Sequence, residues 1–445
     1  MKASVIVLSW NGRADLPECL AALDAQEFAD WEILVVDNAS TDSSAELVRE
    51  HYPHMRLIRN QDNLGFAAGN NRGLRIATGD VLVLLNQDTV VHPGWLQALV
   101  HAFEVDPQCG IAGAKALYPD GRIQHAGGYV DARGEAAHFG YREPDNGQFD
   151  ERREVDFVTG AALAISRAAL QEIGELDEGF HLAYYEDVDW CYRAREAGYR
   201  VLYTPAAVLV HKERSAGSAN SHEGMYHFQR NRLRFVFKHW PVRSLREEFV
   251  ALERAWLEGL AAGGERLVAA MQHAYLYHLL HLDDLVTLRR KILHAGSDDA
   301  DALASVLLAL RTVLPVKLAQ DMAGPKPGDE GWADLLAGLR QREVIVEQPA
   351  RSALPIVGPL LTALRRPWNQ AITAAYVLPM IHQQIEFNSR VVTLLERLSQ
   401  GRLGDVDHLA TVLLEYLREA NRELDELAAE VRGLRAPVEK DLAAD

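Results

Sequence analysis

Two aspartates come at the ends of apolar runs that are typical of buried β-strands. Asp37 follows the run Ile33 to Val36, and Asp88 lies three residues after the run Val81 to Leu85. In open α/β sheets ligands bind at the carboxyl ends of the strands, so both carboxylates are expected in one crevice. Either one could instead cap the helix or turn that follows it, which is a common role of Asp. If the ligand carries a diphosphate, the two carboxylates would repel it. A divalent cation resolves this repulsion by bridging the carboxylate and phosphate oxygens.

Further acids stand in the segment YYEDVDWCYR, at the start of a predicted helix that runs to Gly198. Residues three and four apart share a helix face, so Asp187 lies with Trp190 and Cys191, whereas Asp189 points elsewhere. One carboxylate of the three is therefore expected to reach the crevice. The alternative is that the acids only stabilise the N-terminus of the helix.

An apolar strand from Val208 to Val210 ends at His211. A lone histidine is more often structural, but at a strand end beside acids it is also a candidate metal ligand. The stretch NLGFAAGNNRG, from Asn63 to Gly73, is either a loop-to-helix turn or a backbone wrapped closely around a ligand. It lacks the spacing of a dinucleotide fingerprint, and the sequence has no P-loop motif GxxxxGK[ST].

The first 240 residues or so alternate short β-rich runs with helical patterns. Helices are predicted near Leu16–Ala25, Ser43–His51 and Phe66–Ala77. This alternation predicts an α/β fold with a mostly parallel sheet and flanking helices.

From about Ser244 the pattern is helical almost to the end, with a loop-like break at residues 323–331. We therefore predict an α/β domain at 1–240, a helical domain at 241–345 and a helical interaction region at 346–445. Apolar positions from Leu417 to Leu434 predict either a short coiled coil, which would support a homo-oligomer, or an amphipathic helix packed on its own domain. Basic residues at 365–366 beside leucines predict a core helix with a basic edge, and membrane-surface contact is the less favoured alternative.

The composition excludes several classes of protein. A formal net charge of −17 argues against a nucleic-acid partner. Three cysteines without metal-like spacing indicate a reducing, cytoplasmic setting. We see neither a signal peptide nor an apolar stretch of membrane-spanning length, which leaves peripheral contact with the inner face of the membrane open.

Together these segments resemble the inverting family 2 glycosyltransferases of GT-A fold, especially the bacterial rhamnosyltransferase-like branch. The matching pieces occur in the family's order and span about Ser4 to Trp240: VIVLSWNG, VVDNASTD, NLGFAAGNNRG, LLNQDT, VTGAALAISRAAL, LDEGFHLAYYEDVDWCYRAREAGYRVLYTPAAVLVHK and YHFQRNRLRF. The helical remainder is not covered by the resemblance.

The resemblance implies a role for particular residues. Asp187 matches the general base, and Glu186 and Trp190 would line the acceptor side. Asp88 and His211 would bind Mn²⁺ or Mg²⁺, although the family's Asp-any-Asp metal motif here reads Asn86-Gln87-Asp88. The residues implied at the nucleotide-sugar donor are Ser9, Asp37, Asn63, Gly65, Asn70, Asn86 and Gly160.

The activity implied is transfer of a sugar, L-rhamnose or a related one, from a dTDP or UDP donor. The acceptor would be a hydroxyl of a glycan or lipid-linked molecule in surface polysaccharide assembly. The family's processive synthases carry Gln-any-any-Arg-Trp, whereas here Gln229-Arg230-Asn231-Arg232 precedes Leu233, so a nonprocessive enzyme is expected. The alternatives are a non-catalytic nucleotide-sugar-binding or assembly protein and, less favoured, a nucleotidyltransferase. The latter would need a basic, glycine-rich phosphate segment near the N-terminus.

Overall fold

The computed structural model describes residues 1–213, 222–260 and 281–293, and individual positions between 267 and 306. The strands are β1 (Ala3–Ser9), β2 (Trp31–Asp37), β3 (Arg56–Arg59), β4 (Val81–Asn86), β5 (Thr89–Val91), β6 (Cys109–Leu117), β7 (Ile123–His125), β8 (Gly128–Val130), β9 (Ala136–His138), β10 (Arg153–Glu154), β11 (Ala162–Ser166) and β12 (Arg200–His211). The helices are α1 (Leu16–Asp24), α2 (Ser44–His51), α3 (Gly65–Leu74), α4 (Trp95–Val105), α5 (Arg167–Ile173), α6 (Glu186–Glu196), α7 (His222–His239), α8 (Val242–Ser244), α9 (Val250–Leu260) and α10 (Leu282–Leu293). A π-helical turn, Leu245–Phe249, joins α8 to α9.

A ten-stranded mixed sheet forms the centre of this part of the chain. Its main path runs β10-β12-β6-β11-β4-β1-β2-β3, with β5 beside β12 and β7 beside β6. The strands β3, β2, β1 and β4 are parallel, whereas β11 lies antiparallel between β4 and β6. The predicted α/β class, with helices flanking a large sheet, is confirmed. Three of these parallel strands, β1, β2 and β4, are mostly buried and mainly apolar, which explains their strong sequence signal, whereas β3 has an exposed arginine at each end.

Helix α3 lies unusually close to the sheet because it contains small residues. A Cβ atom on Gly69 would lie 2.6 Å from Cδ1 of Leu8 in β1, closer than side chains tolerate. The glycine-rich stretch therefore serves helix–sheet packing as well as the turn that precedes the helix.

The described chain divides into two compact units, Met1–Tyr275 and Leu276–Asp445. In the first unit, α7 connects to α9 through the fully buried pair of Arg232 and Glu253. In the second unit the structure describes the helix α10 and few other positions. The predicted coiled coil near 417–434 lies outside the described residues, and the predicted boundaries at 240 and 345 stay predictions.

No described helix combines the length and apolar character that a membrane-spanning segment requires. The three cysteines Cys19, Cys109 and Cys191 are buried free thiols.

Candidate active site

The carboxyl ends of three parallel strands bring predicted donor-binding residues to one edge of the sheet. Ser9 is level with Asp37 in the β1–β2 pair, and Leu8 is level with Asn86 in the β1–β4 pair. The Ser9 hydroxyl and both Asp37 carboxylate oxygens are buried and accept or donate no hydrogen bond within the described structure. A buried polar group left without a hydrogen bond costs about 1–3 kcal/mol. This edge is therefore suited to receive the polar groups of a ligand.

The loop between β3 and α3 is fixed to this edge by Asn38, a residue that the sequence analysis did not select. The Asn38 amide donates to Oδ1 of Asn63 at 2.7 Å and accepts from the backbone N–H of Leu64 at 3.1 Å. The same Asn63 oxygen accepts from the backbone N–H of Gly65 at 3.0 Å. Asn63 and Gly65 thus lie directly beside the end of β2. Asn38 follows Asp37 in the sequence, so the position next to the strand-end acid was the available signal.

Asn70 lies on α3 and is buried. Its amide donates to the carbonyl oxygen of Phe66 at 3.0 Å, while its Oδ1 makes no hydrogen bond with any described residue. The Phe66 ring in turn lies against the backbone of Gly160, where a Cβ atom would be 3.1 Å from Cζ of the ring. The helix α3 therefore connects this edge of the sheet to the turn that carries Gly160.

The two predicted metal ligands lie together. Oδ1 of Asp88 is 3.3 Å from Nε2 of His211, and Nδ2 of Asn86 is 3.5 Å from the same nitrogen. Pairing of β5 with β12 sets Thr89 opposite His211, and the backbone N–H of Lys212 donates to the Asp88 carbonyl at 3.0 Å. A carboxylate oxygen is a ligand that suits Mn²⁺ or Mg²⁺, and a neutral imidazole nitrogen is a common ligand of divalent metals in general. Within the described chain no cluster of three or more His, Cys, Asp or Glu residues is arranged around a metal position, so a cation here would need further ligands from substrate or water.

Asp187 lies at the start of α6 and is partly exposed. Its Oδ2 accepts a hydrogen bond from the backbone N–H of Gly160 at 2.7 Å, and its Oδ1 accepts from the N–H of Val188 at 2.8 Å. Burial raises the pKa of the Asp187 carboxyl above its usual value, although the two N–H donors oppose the shift.

The turn that holds Asp187 is joined to β4. The backbone N–H of Asn86 donates to the carbonyl of Ala161 at 3.0 Å, one residue beyond Gly160. The end of β4, which leads to the Asp88–His211 pair, and the turn beneath Asp187 are therefore neighbours.

The other two acids of α6 have different environments. Asp189 is fully buried and forms ion pairs with Lys238 at 2.7 Å and Arg193 at 2.9 Å. Burial alone would raise its pKa, but these cations and His239 hold the pKa well below the usual range of an aspartate. Glu186 is also buried, and burial together with the Asp187 carboxylate raises its pKa well above the usual range. Of the three, Asp187 is the partly exposed carboxylate.

Residues 4–174 match the family model described as Glycosyl transferase family 2. An N-acetylglucosaminyl-diphospho-decaprenol L-rhamnosyltransferase of Mycobacterium tuberculosis is 30% identical over 253 residues, which are 50% of this chain and 80% of that protein. The chain belongs to glycosyl transferase family 2. The match to the O-antigen biosynthesis protein RfbC of Myxococcus xanthus is 32% identical over 231 residues, 49% of this chain. It spans only 18% of that relative, so this chain corresponds to a small part of it.

A solved structure of GalNAc-T7 with UDP, GalNAc and Mn²⁺ is similar at 19% identity and a TM-score of 0.45. The similarity covers 58% of this chain and 50% of that one.

The structure does not bring Trp190 to the site of this family 2 domain. Its side chain is fully buried, and its indole N–H donates to the carbonyl of Gly174 at 2.9 Å. Trp190 is a packing residue between α6 and the end of α5, and its assignment to the acceptor side is wrong. Helical spacing groups Trp190 with Asp187 on one face of α6. It does not show which part of that face lines a crevice and which part packs into the core.

Proposed function

We propose that this family 2 chain transfers a sugar from a nucleotide diphosphate donor to an acceptor hydroxyl by a single inverting displacement. The observation that carries the proposal is the position of Asp187, a partly exposed carboxylate of α6 that accepts a hydrogen bond from the Gly160 turn beside the end of β4. Family membership supports the same reaction.

In this mechanism Asp187 accepts the proton of the acceptor hydroxyl as its oxygen attacks the anomeric carbon. The bond to the departing diphosphate breaks on the opposite side, so the anomeric configuration inverts. The raised pKa of Asp187 makes it a stronger base than an exposed aspartate. The N–H groups of Gly160 and Val188 keep the carboxylate in one orientation.

The donor would lie along the strand ends, with Ser9 and Asp37 at its base and ribose and with Asn63, Gly65, Asn70, Asn86 and Gly160 around the remainder. Asp88 and His211 would hold a divalent cation, Mn²⁺ or Mg²⁺. When bound, such a cation stabilises the negative charge that develops on the departing diphosphate.

For the substrates we propose L-rhamnose, or a related sugar, from a dTDP or UDP donor. The supporting observation is that one relative is named as an L-rhamnosyltransferase acting on a decaprenol-linked diphosphate and another as an O-antigen biosynthesis protein. A glycan or lipid-linked acceptor in surface polysaccharide assembly, met at the cytoplasmic face of the membrane, fits both. Glu186, next to the base, is the residue that we propose on the acceptor side.

The proposal is tested by measuring nucleotide diphosphate release from a panel of UDP-, dTDP- and GDP-sugars with Mn²⁺ or Mg²⁺, and then with a chelator. Turnover of one donor that falls by about 10²–10⁴-fold in Asp187→Asn is expected, because the general base is removed while the fold is kept. Asp88→Ala should lose the metal dependence of the reaction. Asp30→Asn removes an exposed carboxylate at the other end of β2 and should leave turnover unchanged.

A protein in which Asp187→Asn turns over as fast as the wild type has a different base, and the mechanism would be wrong. If no donor reacts or raises the melting temperature, the non-catalytic binding protein becomes the better account of this chain.

A further inference from the structure

Gln124, in β7, lies between a residue of the proposed cation site and an acid that the sequence analysis did not select. Its Oε1 is 2.7 Å from Nδ1 of His211, and its Nε2 is 3.2 Å from Oε2 of Glu213. The Gln124 side chain is buried. We infer that Gln124 is a positioning residue, which fixes the ring tautomer of His211 so that Nε2 presents a lone pair toward Asp88. The inference rests on the proposed function, since it concerns the residue that we assign to the cation.

Glu213 determines which way the Gln124 amide faces. A carboxylate only accepts hydrogen bonds, so the group that Gln124 directs at Glu213 must be its NH₂. The amide oxygen is then the atom that faces His211. The orientation follows from the chemistry of the two neighbours and is not a free choice between amide oxygen and nitrogen.

The amide oxygen in turn determines the tautomer of His211. Because an amide oxygen has no proton to donate, a contact of 2.7 Å requires that Nδ1 of His211 carries the hydrogen. In the neutral ring Nε2 is then the acceptor. The Asn86 amide, whose Nδ2 is 3.5 Å from Nε2, is a donor on the same side.

This tautomer places two acceptors against each other, since Nε2 of His211 is 3.3 Å from Oδ1 of Asp88. Two lone pairs at this distance repel unless a cation or a proton shares them. The arrangement therefore favours a divalent cation at the pair. Polar partners that hold the second nitrogen of a ligating histidine typically change metal affinity by about 10–100-fold.

The tautomer can be measured without any metal or substrate. In protein labelled with ¹⁵N-histidine and freed of metal, long-range ¹H–¹⁵N correlation at mildly alkaline pH distinguishes the two neutral forms of His211. The wild type should show the Nδ1–H form. Gln124→Met, which keeps the length of the side chain but has no acceptor, should shift His211 toward the Nε2–H form. The exchange variant Gln124→Glu with Glu213→Gln keeps an acceptor for the Nδ1 hydrogen and a donor between the two side chains, so it should preserve the wild-type form.

Glu213→Ala provides a second variant that leaves Gln124 in place. Without the carboxylate the amide can turn over and present its NH₂ to Nδ1, so the Nδ1–H population should fall. A fall of the Nδ1–H population in this variant would show that the shift in Gln124→Met does not come only from a disturbed core.

The consequence for the cation is measured as Mn²⁺ binding by electron paramagnetic resonance, in the absence of donor. We expect the dissociation constant to rise about 10–100-fold in Gln124→Met and by a few-fold at most in the exchange variant. Gln97→Met makes the same substitution on the exposed face of α4 and should bind Mn²⁺ like the wild type.

A wild-type His211 in the Nε2–H form would overturn the inference. So would a Gln124→Met variant with both the wild-type tautomer and the wild-type Mn²⁺ affinity. Failure of the proposed function is seen separately, because a wild-type protein could turn over no donor and still show the Nδ1–H form of His211.

Discussion

At the scale of single residues, two adjacent carboxyls on α6 are perturbed in the same direction for different purposes. Burial raises the pKa of Asp187, the residue that we propose as the general base. Burial also raises the pKa of Glu186, whose Oε2 makes no hydrogen bond within the described structure. A carboxyl whose folded-state pKa is raised gives stability that is fully present below the unfolded-state pKa and is lost as the pH rises. Glu186→Gln removes this loss, so its free energy of unfolding should decline less than that of the wild type as the pH rises above the usual pKa of a glutamate.

Thermal unfolding at several pH values checks this prediction, with a Tm for Glu186→Gln that is several degrees above the wild type at the alkaline end. Glu27→Gln makes the same change at an exposed position and should follow the wild-type curve. Parallel curves for Glu186→Gln and the wild type would mean that Glu186 is not held in a raised-pKa environment.

At the scale of elements, α6 is fastened to α7 by the charges around Asp189. Its carboxylate contacts Lys238 and His239 of α7, each at 2.7 Å, and Arg193 of its own helix. Removing one partner of a buried ion pair leaves the other charge uncompensated, so Asp189→Asn should lower the free energy of unfolding by about 3–5 kcal/mol. The matched change two residues earlier, Asp187→Asn, should leave stability nearly unchanged and remove sugar transfer.

Chemical denaturation of both variants measures this contrast. If Asp189→Asn unfolded at the same denaturant concentration as the wild type, the ion pairs of Asp189 would not be what stabilises the packing of α6 on α7. The contrast separates the acid that fixes the helix from the acid that we propose as the general base.

At the scale of the whole molecule, the compact unit extends past the end of the α/β region to Tyr275. The fully buried Arg232 of α7 pairs with Glu253 of α9, and the Tyr275 hydroxyl donates to the same carboxylate at 2.8 Å. A chain that ends after Trp240 would lack both the Glu253 carboxylate and the α9 residues that pack against Arg232. We expect it to be less stable than the full chain by about 3–5 kcal/mol or more.

Glu253→Gln in the full chain isolates the ion pair from the rest of the deleted segment and should reproduce much of the loss. Glu258→Gln, at an exposed position of α9, is its control. A 1–240 chain as stable as the full protein would establish the domain boundary that the sequence predicts.

The sequence by itself determined three of the four parallel strands, β1, β2 and β4, and the edge at which the site lies. Apolar runs such as Ile33 to Val36 are local signals, and the carboxyl ends of parallel strands meet at one edge whatever the loops do. For the same reason Asp37, Asp88 and His211 could be selected as strand-end residues before their neighbours were known. The resemblance to family 2 then supplied their expected roles.

Only the tertiary structure decided which side chains of a helix or turn face the site. Trp190 and Asp187 share a face of α6. The Trp190 indole donates a hydrogen bond to Gly174 in the core, whereas the Asp187 carboxylate accepts one from the N–H of Gly160. Gln124 is 87 residues from His211 in the chain, so no local pattern reveals their contact. Such partners are set by packing between elements that are distant in sequence, and that packing is what converts a list of strand-end acids into a site.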